Sequence, residues 1–186
     1  MIRRGARALQ ASLVVVALMA LAALLARPAA AAFVIPPLAD GHLVDTAGKL
    51  GPQDIDALNR QMEAFRLRTG NVIDVLVTGS LGGESIDDVA YRTFNTWKPG
   101  EGNKDNGVLV VIAPNERRDR IEVGKGLEGA LTDLQTDDIR QRFIEPRLKV
   151  DDVRGALSGG IDAIARALTA GWVEDHRLGD RATMFP

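Results

Sequence analysis

Asp105-Asn106-Gly107, the apolar run Val108 to Ala113, and Arg120-Ile121-Glu122-Val123-Gly124-Lys125-Gly126-Leu127-Glu128-Gly129-Ala130-Leu131-Thr132-Asp133 follow one another in the chain, and their reading decides the fold. A continuous apolar run leaving an Asp-Asn-Gly turn reads as a strand buried on both faces. Pro114 to Arg118 is short and polar, so the next segment is expected to return as a hairpin partner. In that partner Ile121 and Val123 face one way, and Arg120 and Glu122 the other. Period two with one wet side predicts an edge or near-edge strand. The returning strand ends in a glycine-rich turn that carries Glu128 and, five residues on, Asp133. Pairing of the two strands is expected to bring oxygen-bearing side chains from both loops to one end of a sheet.

Working outward, Val72 to Val77 is apolar and β-branched apart from Asp74, the pattern of a second covered strand. Before it, Pro52 suits the first turn of a helix whose inner face is Ile55, Leu58, Met62 and Phe65, ending near Thr69-Gly70. After it, Ser85-x-x-Asp88 opens a second helix with Ile86, Val89, Ala90, Phe94 and Trp97 inward. Everything beyond Gly129 reads helical. Thr136, Asp137 and Asp138 make an acidic first turn, and Pro146 is expected to stop or kink that helix near Glu145. Asp151 or Asp152 then caps a last amphipathic helix through Val153, Leu157, Ile161, Ile164 and Leu168, where Gly159-Gly160 signals close packing. The expected fold class is α/β: a single domain, a three-layer α/β/α sandwich with a small mixed sheet covered by helices. Its expected limits are residues 43–170, after an extended lead-in over 33–42 and before a tail over 171–186.

Residues 1–32 have the layout of a secretory signal peptide. Arg3, Arg4 and Arg7 precede an apolar run from Ala8 to Ala26, and Ala30-Ala31-Ala32 offers a small-residue cleavage site before Phe33. The expectation is export to the periplasm or the medium, the alternative being an N-terminal membrane anchor. The whole chain holds 23 basic and 25 acidic residues, and the leader holds four Arg and no acid. The remaining 154 residues therefore carry 19 basic against 25 acidic side chains, about −6. That surface argues against nucleic acid or an anionic membrane as the main partner and is compatible with cation binding. With no cysteine, stability has to come from packing alone, which a chain of this length can supply.

Two motifs fail on inspection. Gly124-Lys125-Gly126-Leu127-Glu128-Gly129 matches Gly-x-Gly-x-x-Gly, but only helices follow it, and a dinucleotide site needs a further strand; no nucleotide is expected. Read from Glu101 as a calcium-binding loop, the chain has Asn106 and Ile112 where an EF-hand needs Gly and Glu. A different oxygen site is compatible with calcium, which accepts six to eight oxygens including carbonyls and water. The candidate ligands are Asp105, Asn106 and Asp133, with Glu128 next and Asp45 as a more remote candidate. Ordinary turn and cap chemistry explains the same residue types equally well. Asp74 is expected at a strand end, exposed, or paired with an arginine such as Arg120. His42 and His176 read as solvated, and neither stands near a Ser, Asp or Glu in a recognisable catalytic arrangement, with no Cys in the chain, which argues against Ser-His and Cys-His hydrolases. Arg117, Arg118, Arg120 and Lys125 read as an exposed hairpin face or a hold for an anion.

The ordered set Val44-Asp45-Thr46-Ala47-Gly48-Lys49-Leu50, Thr69-Gly70, Trp97-Lys98-Pro99-Gly100 and the Asp105–Asp133 run resembles the TPM domain family over roughly Leu43 to Leu168. That resemblance implies an α/β sandwich, divalent-cation binding near the quoted loops, and partners among membrane or envelope protein complexes. It equally implies an alternative, a metal-dependent acid phosphatase acting on a small phosphate ester, because that activity is attributed to plant members. In such an enzyme Asp105 and Asp133 would hold the cation, and Arg120 or Lys125 would steady the phosphate. Where many bacterial relatives carry a second hydrophobic span and a glycine-rich tail, this sequence has Asp180 to Pro186.

Overall fold

The computed structural model describes residues 32–38 and 41–170. Residues 1–31 of the leader, His176 and the tail lie outside the described residues. Four strands form one sheet: β1 (Leu43–Asp45), β2 (Val72–Val77), β3 (Gly107–Ala113) and β4 (Arg118–Val123), in that spatial order. β1, β2 and β3 run parallel, and β4 returns antiparallel to β3 with Val110 opposite Ile121. The helices are α1 (Pro52–Thr69), α2 (Ile86–Trp97), α3 (Asp133–Ile139), α4 (Glu145–Leu148) and α5 (Val153–Ala170). The sheet is mixed, as the sequence predicts. β1 is an addition: three residues are too few to show a period, and the strand exists because it adds to the exposed side of β2.

Alternation along the strands sorts the core into two layers. Ile73, Val75, Val77, Val108, Val110, Ile112 and Ile121 meet α1 through Leu58, Met62 and Phe65, and the C-terminal helices through Ile139, Ile144, Leu157 and Ile161. Leu76, Leu109, Val111 and Ala113 point the other way, onto Val89 and Ala90 of α2, with Phe94 and Trp97 at the margin. The segment before β1 is strapped over this second layer, where Trp97 Nε1 donates to the Pro36 carbonyl at 2.8 Å.

Local chemistry sets the boundaries. Gly70 ends α1 in the left-handed region (φ 73°), returning its N–H to the Arg66 carbonyl. Ser85 caps α2 by accepting from the Asp88 amide. α3 begins three residues earlier than its acidic stretch suggests. Thr132 and Gln135 form a reciprocal capping box there, so Asp133 is a first-turn residue and Thr132 the cap. Pro146 does not stop the helix, which continues to Leu148. Residues Arg140–Ile144 widen into a π-helical turn in which the Glu145 amide reaches back to the Arg140 carbonyl. This is how a helix can absorb a proline that lacks an N–H and crowds the carbonyl four residues back. At Gly160 of α5 an added Cβ would meet the Ile144 side chain at 2.9 Å, the close packing that the paired glycines signal.

Candidate functional site

The two loops of the Asp105–Asp133 run do pack together, through backbone. Gly126 donates to the Asp105 carbonyl at 3.1 Å and Gly124 to the Gly107 carbonyl at 2.9 Å. A Cβ at Gly126 would collide with the Lys104 carbonyl, and one at Gly124 with that of Asp105. Glycine is required at both positions by this approach rather than by any phosphate.

The four candidate ligands separate into two places. Glu128 and Asp133 are exposed and line one groove of about 350 Å³ with Glu122, Arg120 and Thr132. Asp105 and Asn106 do not line it. Asp105 is exposed, held left-handed at φ 47°, and contributes its carbonyl to Gly126. Asn106 is buried: its Oδ1 accepts from the Glu101 amide at 2.8 Å and its Nδ2 donates to the Gly70 carbonyl at 2.7 Å. That side chain latches the loop to the end of α1. The Asp45 carboxylate accepts from the amides of Ala47, Gly48 and Leu50 at 2.8–2.9 Å and closes a turn. Among the described residues, no group of three or more His, Asp or Glu stands close enough together to hold a metal ion.

Arg120 sits between two carboxylates. Its Nε is 3.3 Å from Glu122 Oε2 and its Nη1 is 3.5 Å from Asp87 Oδ1. Past it opens a second groove of about 700 Å³, lined by Arg117 to Arg120 of the hairpin, by Ile86 and Asp87 of α2, and by Arg140, Glu145, Leu148 and Lys149. Asp119, buried in its wall, accepts from Arg140 Nε at 2.7 Å. Burial pushes the Asp119 carboxyl up, against the pull of that guanidinium.

A third feature escapes the sequence reading. Asp74 is neither exposed nor paired with Arg120; it is buried and lies 2.8 Å from His42 Nδ1. His42 is correspondingly not a solvated residue. Its Nε2 faces Glu63 Oε2 at 3.2 Å, and Arg66 clamps the same Glu63 through Nε and Nη2 at 2.7 and 2.8 Å. Asp74 raises the His42 pKa against the opposing effect of burial, and Glu63 adds to the rise. Arg66 foremost, and then His42, draws the Glu63 carboxyl down to about 2. The signal was the register of β1: Leu43 pairs with Val75, so His42 stands beside Asp74. Reading it required a strand too short to recognise. The His42 ring is hydrogen-bonded to Asp74 of β2 and Glu63 of α1, and the arrangement clamps both elements to the residue that enters β1.

The comparisons agree with this architecture. The N-terminal domain of a protein from P. gingivalis, solved by NMR, is 28% identical, with a TM-score of 0.63 over 70% of this chain and 84% of its own. The N-terminal domain of the cg2496 protein from Corynebacterium glutamicum shares the fold at 16% identity, TM-score 0.57, covering 75% and 88% of the two chains. BA42 from the psychrophilic bacterium Bizionia argentinensis does so at 23% identity, TM-score 0.57, covering 64% and 81%. No curated protein matches. The TPM domain pattern matches residues 43–167, more than half of the sequence, and the chain belongs to the TPM domain family.

Proposed function

We propose that this TPM domain is an exported accessory module that binds a divalent cation, calcium foremost, and serves a membrane or envelope protein complex. The observation that carries the reading is the groove holding Glu128 and Asp133. Neither carboxylate has an ion-pair partner among the described residues, both are exposed, and each rises from a fixed support. Glu128 stands on the turn pinned against Asp105, and Asp133 stands in the capped first turn of α3. Glu122 lines the same groove but is engaged by Arg120 at 3.3 Å, so the protein carboxylates offered to a cation are those of Glu128 and Asp133. Calcium completes its shell with carbonyls and water, so a few carboxylates on rigid neighbouring elements suffice. The test is calorimetric titration of calcium into chelator-stripped protein. Saturable binding that Glu128→Gln and Asp133→Asn each weaken supports the reading; absence of heat, or binding that neither variant changes, refutes it.

The position of Arg120, at the border of an acidic and a basic groove, favours one second reading: a metal-dependent acid phosphatase acting on phosphomonoesters. A cation on the acidic side would then stand beside guanidinium groups able to stabilise developing phosphoryl charge. That reading predicts turnover of p-nitrophenyl phosphate that a chelator abolishes and that Arg120→Gln lowers about a hundredfold. Absence of turnover in the cation-loaded protein leaves the binding module alone.

A further inference from the structure

We infer that the outer edge of β4 is a self-complementary surface, and that two copies of this chain join there, antiparallel about a two-fold axis, into one continuous eight-stranded sheet. The sheet has two edges of different kind. β1 is three residues long and turns away at once through Asp45. β4 is six residues long, and among the described residues nothing pairs with its outer side. An unpaired edge of this length is a template for another strand.

The surroundings show that the edge is open. The larger groove is lined by four successive residues, Arg117 to Arg120, by Ile86 and Asp87 on the α2 face, and by Leu148 and Lys149 on the opposite face. Only an opening that crosses the strand edge touches both layers. The smaller groove continues along the same strand from Arg120 to Val123. The edge is therefore bordered along its whole length by recesses rather than by packed side chains.

Charge selects the occupant. The Arg117–Arg120 half is basic: Arg117, Arg118 and Lys149 make no ion pair among the described residues, whereas Asp119 and Glu145 are both engaged by Arg140. The Glu122 half is acidic, with Glu128 and Asp133 beside it. An antiparallel two-fold sets each half against the other half of its partner, as an isologous contact demands. Register follows from the pleat, because directly opposed residues of an antiparallel pair share a face. Pairing Ile121 with its own copy sets Arg120 opposite the partner's Glu122 and, by symmetry, Glu122 opposite the partner's Arg120. Shifting the axis to Arg120 opposes two guanidinium groups, and shifting it to Glu122 opposes two carboxylates, both unfavourable. The Ile121-centred register avoids either clash.

The inference shares the Glu122 to Asp133 groove with the cation reading, and it is tested in chelator-containing buffer so that the two fail separately. Sedimentation equilibrium of the full chain is compared with Arg120→Glu and Glu122→Arg. Each single reversal is expected to weaken dimerisation at least about tenfold, since symmetry reverses two cross-strand pairs at once. The equimolar mixture is expected to restore it, because a strand acidic at both positions then lies against one basic at both. The absence of native cysteines allows a second reading. Arg120→Cys mixed with Glu122→Cys places opposed Cα atoms within disulfide range, so the mixture is expected to cross-link faster than either variant alone. A monomeric wild-type chain, association that survives both reversals, or equal cross-linking of mixture and single variants overturns the proposal.

Discussion

Replacing Asp74 by Asn tests whether the buried His42 contact holds β1 and α1 to the sheet. Asn keeps the size and one acceptor oxygen but removes the charge that faces His42 Nδ1 at 2.8 Å. A hydrogen bond to a charged group contributes about 1.5–3 kcal/mol and a neutral one about 1, so the expected loss is about 1–2 kcal/mol where His42 is protonated. The sign with pH follows from the direction of the shift. The His42 pKa is raised in the folded state by Asp74, chiefly, and by Glu63. Its contribution is therefore complete below the unfolded value, about 6.5, and is lost as pH rises through the folded value. Glu63 is drawn down to about 2. Its contribution is present above the ordinary carboxylate range and disappears only as pH falls toward that value, so it does not titrate between neutral and alkaline pH. Urea unfolding of wild type and Asp74→Asn at about pH 6 and about pH 9 reads the difference directly, with groups common to both proteins cancelling. The gap between the two proteins is expected to be widest at the lower pH and to narrow at the higher. A variant that loses the same amount at both values, or under about 0.5 kcal/mol at the lower one, refutes the charged clamp.

Gly126→Ala drives a methyl into the Lys104 carbonyl, so urea unfolding is expected to show a loss of about 1–3 kcal/mol. Thr132→Ala removes both the cap on the Gln135 amide and the capping box, and is expected to cost about 1 kcal/mol in the same assay. Lys49→Gln removes an exposed ion pair, 2.8 Å from Asp151, and is expected to change stability by less than about 1 kcal/mol. Gly160→Val presses on Ile144 where α5 crosses the π-helical turn, and thermal denaturation is expected to report a loss of about 1–3 kcal/mol.

Much of this fold was legible because its strands and helices announce themselves by period. Val72–Val77 and Val108–Ala113 are continuous apolar runs, and α1 shows Leu58, Met62 and Phe65 at helical spacing. β1 was not legible, since its three residues form a strand only in the presence of β2. The α3 start was missed because Thr132 and Gln135 signal a cap only when read as a pair, and the neighbouring Asp137 and Asp138 draw attention downstream. The His42–Asp74 contact depends on register, which no local pattern encodes. The placement of the candidate residues was half legible. Spacing placed Glu128 and Asp133 on neighbouring elements, but it did not show that Asn106 spends its amide on Gly70 and Glu101, a tertiary fact about loop packing. The buried Asp119–Arg140 pair joins residues 21 apart in sequence, and was hidden because Asp119 borders a hairpin turn where an exposed acid is ordinary.

The central claim is that the groove between β4 and the start of α3 takes a divalent cation. The most direct measurement is the shift of backbone amide NMR signals as calcium is added to chelator-stripped protein. The account predicts saturable shifts concentrated at Arg120 to Val123 and Glu128 to Asp133, absent when Asp133 is replaced by Asn. Shifts confined to Glu101–Asn106 or to Asp45–Gly48, or no shifts at all, would contradict it.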